Sequence, residues 1–149
     1  MGAREGGKLT AGIHRFPIRV YYEDTDAAGI VYYANYLRFA ERARTELLRD
    51  LNINQRELTA QEGLQFVVRS CKIRYRRPAR LDDQLTVESN ITSVRGASII
   101  ANQLIKSVSL DLVELDSVIA CVDCHGSPAR LPHSVRSVLG SQASDLLRD

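Results

Sequence analysis

The chain has 149 residues, of which 44% are hydrophobic and 26% are charged, as is typical of a globular protein and not of a disordered one. This length favours one domain that can bury a core without disulfides or structural metals. The formal net charge of only +2 offers no global argument for nucleic-acid binding.

The N-terminal segment, MGAREGGKLTAGIHR, is polar and rich in glycine, and it lacks the apolar centre of a secretory signal. We interpret residues 1–15 as a flexible leader. The chain contains no run of about 18 apolar residues, so we expect no membrane span. Three cysteines without an export signal indicate reduced thiols, and hence a cytoplasmic location.

The next two segments predict a strand followed by a long helix. FPIRVYY, at residues 16–22, alternates apolar and other side chains as a strand does, and EDTDAAG follows as a turn. From about residue 35 to residue 51, apolar residues recur at intervals of three and four, which predicts an amphipathic helix. The apolar positions are Tyr36, Phe39, Ala40, Ala43, Leu47 and Leu51. The polar face carries Arg38, Glu41, Arg42, Arg44, Glu46 and Arg49.

The rest of the chain is predicted to be mainly β-strand. A polar connection spans residues 52–63, and four alternating segments then predict strands: QFVVRSCKIRYRR, QLTVESNITSV, RGASIIANQLIKSVSL and VELDSVIACVDC. Residues 134–149 are predicted to be weakly helical and peripheral. This order favours an α+β fold in which a curved antiparallel sheet of about five strands wraps around one central helix. A simple two-layer packing is compatible with the same order.

One cysteine pattern has several possible meanings. Cys121, Cys124 and His125 spell C-x-x-C-H, which is the pattern of c-type haem attachment, and zinc is a further possible ligand. Haem attachment requires export to an oxidising compartment, and no export signal is present. The segment also alternates as a strand, so we interpret the cysteines as thiols in or near that strand.

The sequence between the first strand and the helix carries three acids within four residues, Glu23, Asp24 and Asp26. A structural role is ordinary, because Asp side chains accept hydrogen bonds from backbone N–H groups in turns. However, a helix N-terminus also offers unpaired N–H groups to a developing oxyanion. The flanking tyrosines would supply an apolar setting, in which a carboxylate is a stronger base. No G-x-S-x-G, H-E-x-x-H or P-loop motif competes, so an acid of this cluster is the best catalytic candidate.

At this point a family resemblance becomes specific. The segment RVYYEDTDAAGIVYYANYLRFAERARTELLR resembles the signature of the hotdog-fold thioesterases. The resemblance continues through FVVRSCKIRYRRPARLDDQLTVESNITSVRGASI and covers roughly residues 16–132. The chain is similar to the acyl-CoA thioesterases associated with the bacterial Tol–Pal system and to 4-hydroxybenzoyl-CoA thioesterase. The resemblance implies a hotdog domain at residues 16–133, hydrolysis of acyl-CoA without a metal or organic cofactor, and a homodimer or homotetramer.

The resemblance also assigns roles to individual residues. Asp26 matches the catalytic carboxylate of the family, and Asp24 then keeps a structural role in the turn. Tyr33 matches the position whose backbone N–H polarises the thioester carbonyl, although many relatives carry His there. The matches to substrate-binding positions are Gly29, Val31, Arg95 and Ser98. Asp26 could attack the carbonyl itself or activate a water, and the sequence leaves both mechanisms open.

Several alternatives remain at the level of the sequence. The basic segment at residues 69–80 carries six cations and no acid, which fits a solvated strand face. The alternative interpretation is a dock for the phosphates of coenzyme A or for the acidic surface of acyl carrier protein. A hydratase or dehydratase on the same fold would need a histidine near the acid. A non-catalytic acyl-thioester-binding adaptor of the cell-envelope machinery, or an acyl-carrier-protein thioesterase, would also use this fold.

Overall fold

In the computed structural model, which describes residues 7–147, the chain folds into one antiparallel sheet with three α-helices. The strands follow the order β1-β2-β4-β5-β6-β3 across the sheet. The elements are β1 Lys8–Thr10, β2 Ile13–Arg19, α1 Asn35–Asp50, α2 Gln55–Glu62, β3 Gln65–Tyr75, β4 Gln84–Val94, β5 Ser98–Lys106, β6 Asp111–Val122 and α3 His133–Leu147. The α+β prediction is confirmed, with six strands instead of about five. Within the described range, no helix is both long and apolar enough to cross a membrane.

Helix α1 is held against the sheet by the apolar stripe that the sequence predicts. Tyr36, Phe39 and Leu47 are each at most 3% exposed. Ala40 and Ala43 are fully buried, and their small side chains let the helix backbone approach the strands closely. Burying one large apolar side chain contributes about 1.5–3 kcal/mol, so each large side chain of this stripe favours packing of the helix on the sheet.

The sheet curves around α1 at positions where its register shifts. Irregular pairing occurs in β3 between Val68 and Ser70, and in β4 between Ile91 and Ser93. An extra residue in one strand bends that strand and increases its twist. The curved sheet predicted from the helix pattern is therefore present, and β2 and β4 supply most of its contacts with α1.

The prediction of a flexible leader over residues 1–15 is wrong for residues 8–15, and residues 1–6 lie outside the described range. Lys8–Thr10 and Ile13–Arg19 form a hairpin, and His14 pairs in register with Ser89 of β4. The His14 side chain is fully buried, and its Nε2 lies 2.7 Å from Oδ2 of Asp50 at the end of α1. These partners are remote in sequence, so the local composition does not predict the pairing.

The polar connection at residues 52–63 is likewise not a simple loop, because it contains α2. The Asn54 side chain accepts a hydrogen bond from the Glu57 backbone N–H at 3.1 Å, which caps the start of the helix. Gly63 ends the helix with φ of 66°, a left-handed conformation that glycine adopts without strain. These two capping residues are the sequence signal for a helix in this segment.

The C-terminal segment is helical from His133 to Leu147, as predicted, and residues 148–149 lie outside the described range. The prediction that the segment is peripheral is wrong. Val135 is 7% exposed and Leu139 is fully buried. Both side chains join a core cluster with Leu47 of α1 and Ile91 of β4. Helix α3 is therefore part of the core, next to the second half of α1 and to β4.

We expect Leu139→Ala to lower the free energy of unfolding by about 2–5 kcal/mol, because it removes a fully buried side chain from the core. Ser137→Ala, at an exposed position of the same helix, is the matched control and should change it by less than about 0.5 kcal/mol. Urea unfolding of both variants measures the difference. Equal stabilities would mean that α3 does not belong to the cooperative core.

The three cysteines differ in environment. Cys121 is fully buried in β6, and burial raises the pKa of its thiol. Cys71 and Cys124 are exposed. Among residues 7–147, no group of three or more His, Cys, Asp or Glu side chains could hold a metal ion. The residues of the C-x-x-C-H pattern therefore lie in two different settings. Cys121 is in the core, whereas Cys124 and His125 are exposed beyond the end of β6.

Native-state alkylation with iodoacetamide should label Cys71 and Cys124 at least about tenfold faster than Cys121, whose thiol is both buried and protonated. Peptide mass spectrometry reads out each site, and alkylation in denaturant should equalise all three. Fast native labelling of Cys121 would contradict the placement of this residue in the core.

Candidate active site

The Asp26 loop, residues 20–34, joins β2 to α1, and Asp24 fixes its shape. Its Oδ2 accepts a hydrogen bond from the Tyr21 backbone N–H at 2.8 Å. Its Oδ1 accepts a second hydrogen bond, at 2.7 Å, from the side-chain amide of Asn35, the first residue of α1. The Tyr32 backbone N–H donates to the Asp24 carbonyl oxygen at 2.9 Å. With both carboxylate oxygens engaged, Asp24 ties the loop to the start of the helix.

Asp26 lies two residues further along, at a tight turn. Its backbone N–H donates to the Ile30 carbonyl at 2.9 Å, and its own carbonyl accepts from the Gly29 N–H at 3.0 Å. Gly29 has φ of 79°, so the turn needs a residue that tolerates the left-handed region. The role of Gly29 in the turn follows from this geometry.

The Asp26 carboxylate is only partly committed to that turn. Oδ1 accepts one hydrogen bond, from the Ala28 backbone N–H at 2.8 Å. Within the described residues, Oδ2 has no hydrogen-bond donor. The side chain is exposed and faces a cleft of about 470 Å³ lined also by Tyr22 and Leu81. The sequence predicts an apolar setting for this carboxylate. The cleft has apolar side chains in its walls, but Asp26 itself is exposed, and so is Tyr22 at 82%.

Tyr33 lies in the turn immediately before α1. Among the described residues, its backbone N–H has no acceptor, whereas its carbonyl accepts a 3.0 Å hydrogen bond from the Tyr75 hydroxyl. The two rings also meet edge to face, with centroids 6.4 Å apart. Tyr75 of β3 thereby fixes the Tyr33 carbonyl, while the Tyr33 N–H stays unpaired among the described residues. An unpaired N–H at the start of a helix suits an anionic oxygen.

Val31 connects this turn to the core. Its side chain is 2% exposed, and its backbone N–H donates to the Ala79 carbonyl at 2.9 Å. The Ala79 N–H in turn donates to the buried Tyr36 hydroxyl at 3.0 Å. Burial raises the pKa of Tyr36, so this hydroxyl stays protonated at neutral pH. Val31 and Tyr36 also line a second cleft of about 310 Å³ beside Tyr33.

The other predicted substrate-binding residues, Arg95 and Ser98, do not join this group within one chain. They close the β4–β5 hairpin, where the Arg95 N–H donates to the Ser98 carbonyl at 2.7 Å. The Asp26 loop lies at the opposite end of β4, next to Asp83. Arg95 lies 11 positions after Gln84 along the chain, which corresponds to about 36 Å at ~3.3 Å per residue.

The basic segment divides into paired and unpaired cations. Arg76 contacts Glu114 at 3.1 Å, and Arg74 approaches the same carboxylate at 4.0 Å. The side-chain cations of Arg69, Lys72 and Arg80 are exposed and form no ion pair among the described residues, although the Arg80 backbone N–H donates to Oδ2 of Asp83 at 2.8 Å. The unpaired cations remain available to an anionic ligand.

Sequence reasoning missed one polar group, at Gln103. The side chain occupies a buried position of β5, between Ala101 and Ile105 on the same face. Its Oε1 accepts a 2.8 Å hydrogen bond from Nη1 of Arg44, a residue that the helix pattern placed on the solvated face. A lone Gln in an otherwise apolar alternation is the signal that could have predicted this buried pair.

The family model of the Thioesterase-like superfamily matches residues 20–139. The acyl-CoA thioester hydrolase YbgC of Escherichia coli O157:H7 is 46% identical over 129 residues, which cover 85% of this chain and 96% of the relative. A probable thioesterase from Bartonella henselae, solved by crystallography, is 42% identical with a TM-score of 0.78, covering 80% of this chain and 99% of that one.

A structure of 4-hydroxybenzoyl-CoA thioesterase in complex with 4-hydroxybenzoyl-CoA superposes with a TM-score of 0.81, covering 86% of this chain and 99% of that one. At 20% identity this likeness shows the fold alone. The matched range contains the whole Asp26 loop, α1 and the sheet from β3 to β6. The chain therefore belongs to the Thioesterase-like superfamily and has its hotdog fold.

Proposed function

We propose that this protein hydrolyses acyl-CoA thioesters to the free acid and coenzyme A. The observation that carries the proposal is the contrast between two neighbouring acids. Asp24 has both oxygens engaged, whereas Asp26 keeps one oxygen free in a cleft. The acyl-CoA hydrolase activity in the name of the E. coli relative supports the same reaction class.

Asp26 and the Tyr33 amide supply the two functions that thioester hydrolysis requires. If Asp26 is the nucleophile, Oδ2 attacks the thioester carbonyl, the C–S bond breaks, and water then hydrolyses the mixed anhydride. If Asp26 is the general base, it takes a proton from the attacking water, and the coenzyme A thiolate leaves. In both routes the Tyr33 N–H donates to the tetrahedral oxyanion, a contribution of about 3 kcal/mol.

A hydratase role has less support because the described histidines lie elsewhere. His14 is buried against Asp50, and His125 and His133 are exposed beyond β6. A non-catalytic acyl-thioester-binding adaptor would bind acyl-CoA without turnover. Assays on a panel of acyl-CoA and acyl-carrier-protein substrates separate these functions.

We further propose that the enzyme is a homodimer or larger homo-oligomer paired through β3. This strand is 11 residues long and forms one edge of the sheet. Val67 and Val68 are 42% and 49% exposed on it. A long edge strand left unpaired presents free backbone N–H and C=O groups, and pairing with a second copy would satisfy them. Such pairing would also cover part of the α1 surface beside Tyr75.

We expect Asp26→Ala and Asp26→Asn to lower kcat for octanoyl-CoA by at least about 10²-fold, since both remove the base or nucleophile. Thiol release measures the rate. Glu23→Gln is the matched control, because Glu23 is a neighbouring exposed acid without a partner among the described residues, and it should retain wild-type activity. Normal turnover in both Asp26 variants would refute the assignment.

We expect light scattering to give a mass of at least twice the 16.6 kDa of one chain. Val67→Lys places a charge on the exposed edge and should weaken self-association by at least about tenfold. Val108→Lys makes the same change at a residue that is 95% exposed outside β3, and it should leave the mass unchanged. A monomeric wild-type protein would contradict pairing through β3.

A further inference from the structure

The Tyr33 N–H belongs to the peptide group that joins Tyr32 to Tyr33, and the turn before α1 holds this group. The Asn35 backbone N–H donates to the Tyr32 carbonyl at 2.8 Å. The peptide is trans, so its C=O and N–H bonds point in opposite directions. The Tyr33 N–H is therefore directed away from Asn35, the first residue of α1.

The next peptide group, between Tyr33 and Ala34, is held from the sheet. Tyr75 is the last residue of β3, and its hydroxyl donates to the Tyr33 carbonyl at 3.0 Å. Desolvation raises the pKa of Tyr75, so the hydroxyl keeps its proton and remains a donor at neutral pH. Because the peptide groups on both sides of Tyr33 are held, the direction of its N–H is fixed.

Tyr75 is itself held at its backbone and at its ring. The Arg76 and Arg77 backbone N–H groups donate to the Leu112 carbonyl at 2.8 and 3.1 Å, which holds the end of β3 beside β6. The Tyr75 ring contacts the ring of Tyr36, with centroids 5.9 Å apart, and Tyr36 is only 3% exposed. The hydroxyl is therefore placed by a rigid support.

The hydrogen bond of the Tyr75 hydroxyl contributes little to folding. The Tyr75 side chain is 47% exposed and that of Tyr33 is 63% exposed, so water can replace the bond between them. The bond nevertheless orients an N–H that has no acceptor among the described residues. Tyr33 and Tyr75 also line the same cleft of about 310 Å³, so a ligand in that cleft lies beside the oriented N–H.

We propose that Tyr75 is a positioning residue for hydrolysis: its hydroxyl, by holding the Tyr33 carbonyl, directs the Tyr33 N–H at the oxyanion of the tetrahedral intermediate. This role rests on the proposed function. Tyr75 acts through Tyr33 and needs no contact with the substrate. A donor that is oriented in advance does not have to reorganise during the reaction. The benefit therefore falls on the transition state and not on the bound substrate.

Steady-state kinetics with octanoyl-CoA test this role. Tyr75→Phe keeps the ring and removes only the hydroxyl. We expect kcat to fall about tenfold, because a displaced donor weakens binding of the transition state. KM should change by less than about twofold, because the bound substrate does not need the oriented donor. An unchanged kcat would overturn the proposal. A raised KM with kcat retained would also overturn it, since the hydroxyl would then bind the substrate itself.

Two further measurements separate positioning from a structural role. Tyr21→Phe is the matched control, because it removes a hydroxyl from a tyrosine that is 60% exposed in the Asp26 loop, and it should retain wild-type kcat. The thermal unfolding midpoint of Tyr75→Phe should lie within about 2 °C of wild type. A much lower midpoint would mean that the hydroxyl serves the fold, and an equal fall of kcat in Tyr21→Phe would mean that the effect is not specific to Tyr75. Either result would overturn the proposal.

Binding of two analogues tests the role without turnover. In the first, a methylene group separates the octanoyl carbonyl from the coenzyme A sulfur. The second is its α,α-difluoro derivative, which water converts into a tetrahedral hydrate. In calorimetry, Tyr75→Phe should bind the difluoroketone about tenfold more weakly than wild type does, and the simple ketone equally well. Loss of affinity for both analogues, or for neither, would overturn the proposal.

The same calorimetry distinguishes this proposal from the proposed function. A wild-type protein that binds both analogues but releases no thiol from octanoyl-CoA would refute the hydrolysis. The ratio of the two affinities in Tyr75→Phe would still decide whether Tyr75 directs the Tyr33 N–H at a tetrahedral oxygen.

Discussion

The close contact between α1 and the concave face of the sheet is the interaction on which the rest of the structure depends. Ala40 and Ala43 bring the helix backbone against the strands, and the larger Tyr36, Phe39 and Leu47 fill the spaces on either side. This contact fixes the direction in which α1 begins. The loop that precedes α1, with its acids and free amide, is therefore held by the core and not by local sequence alone.

The division of roles between Asp24 and Asp26 follows from this anchoring. Asp24 satisfies donors on both sides of the loop, one in the turn and one on the first residue of α1. An acid so engaged stabilises the backbone but has little capacity left for chemistry. Asp26 accepts a hydrogen bond from a single local N–H, and its second oxygen has no donor among the described residues. The same residue type is thus fully hydrogen-bonded at one position and half free two residues later.

The polar group formed by Gln103, Ser89 and Arg44 adds a second constraint to the core. A buried amide costs free energy unless all of its hydrogen bonds are made, and here both ends of Gln103 have partners. The helix must therefore lie at one height and one rotation relative to β5. Apolar packing by itself would tolerate small shifts, whereas this network fixes one position.

The sequence by itself determined the order of the main elements, the buried stripe of α1, the family, and the acids of the loop, because periodicity, turn chemistry and the length of the motif are local properties. It did not determine that residues 8–10 and 13–15 pair as strands, that α3 closes the core, or that Arg44 turns inward to Gln103. It also grouped Arg95 with Asp26, which the length of β4 separates within one chain. Only the tertiary structure decided these points, since each depends on partners that are distant in sequence and come together when the sheet closes around the helix.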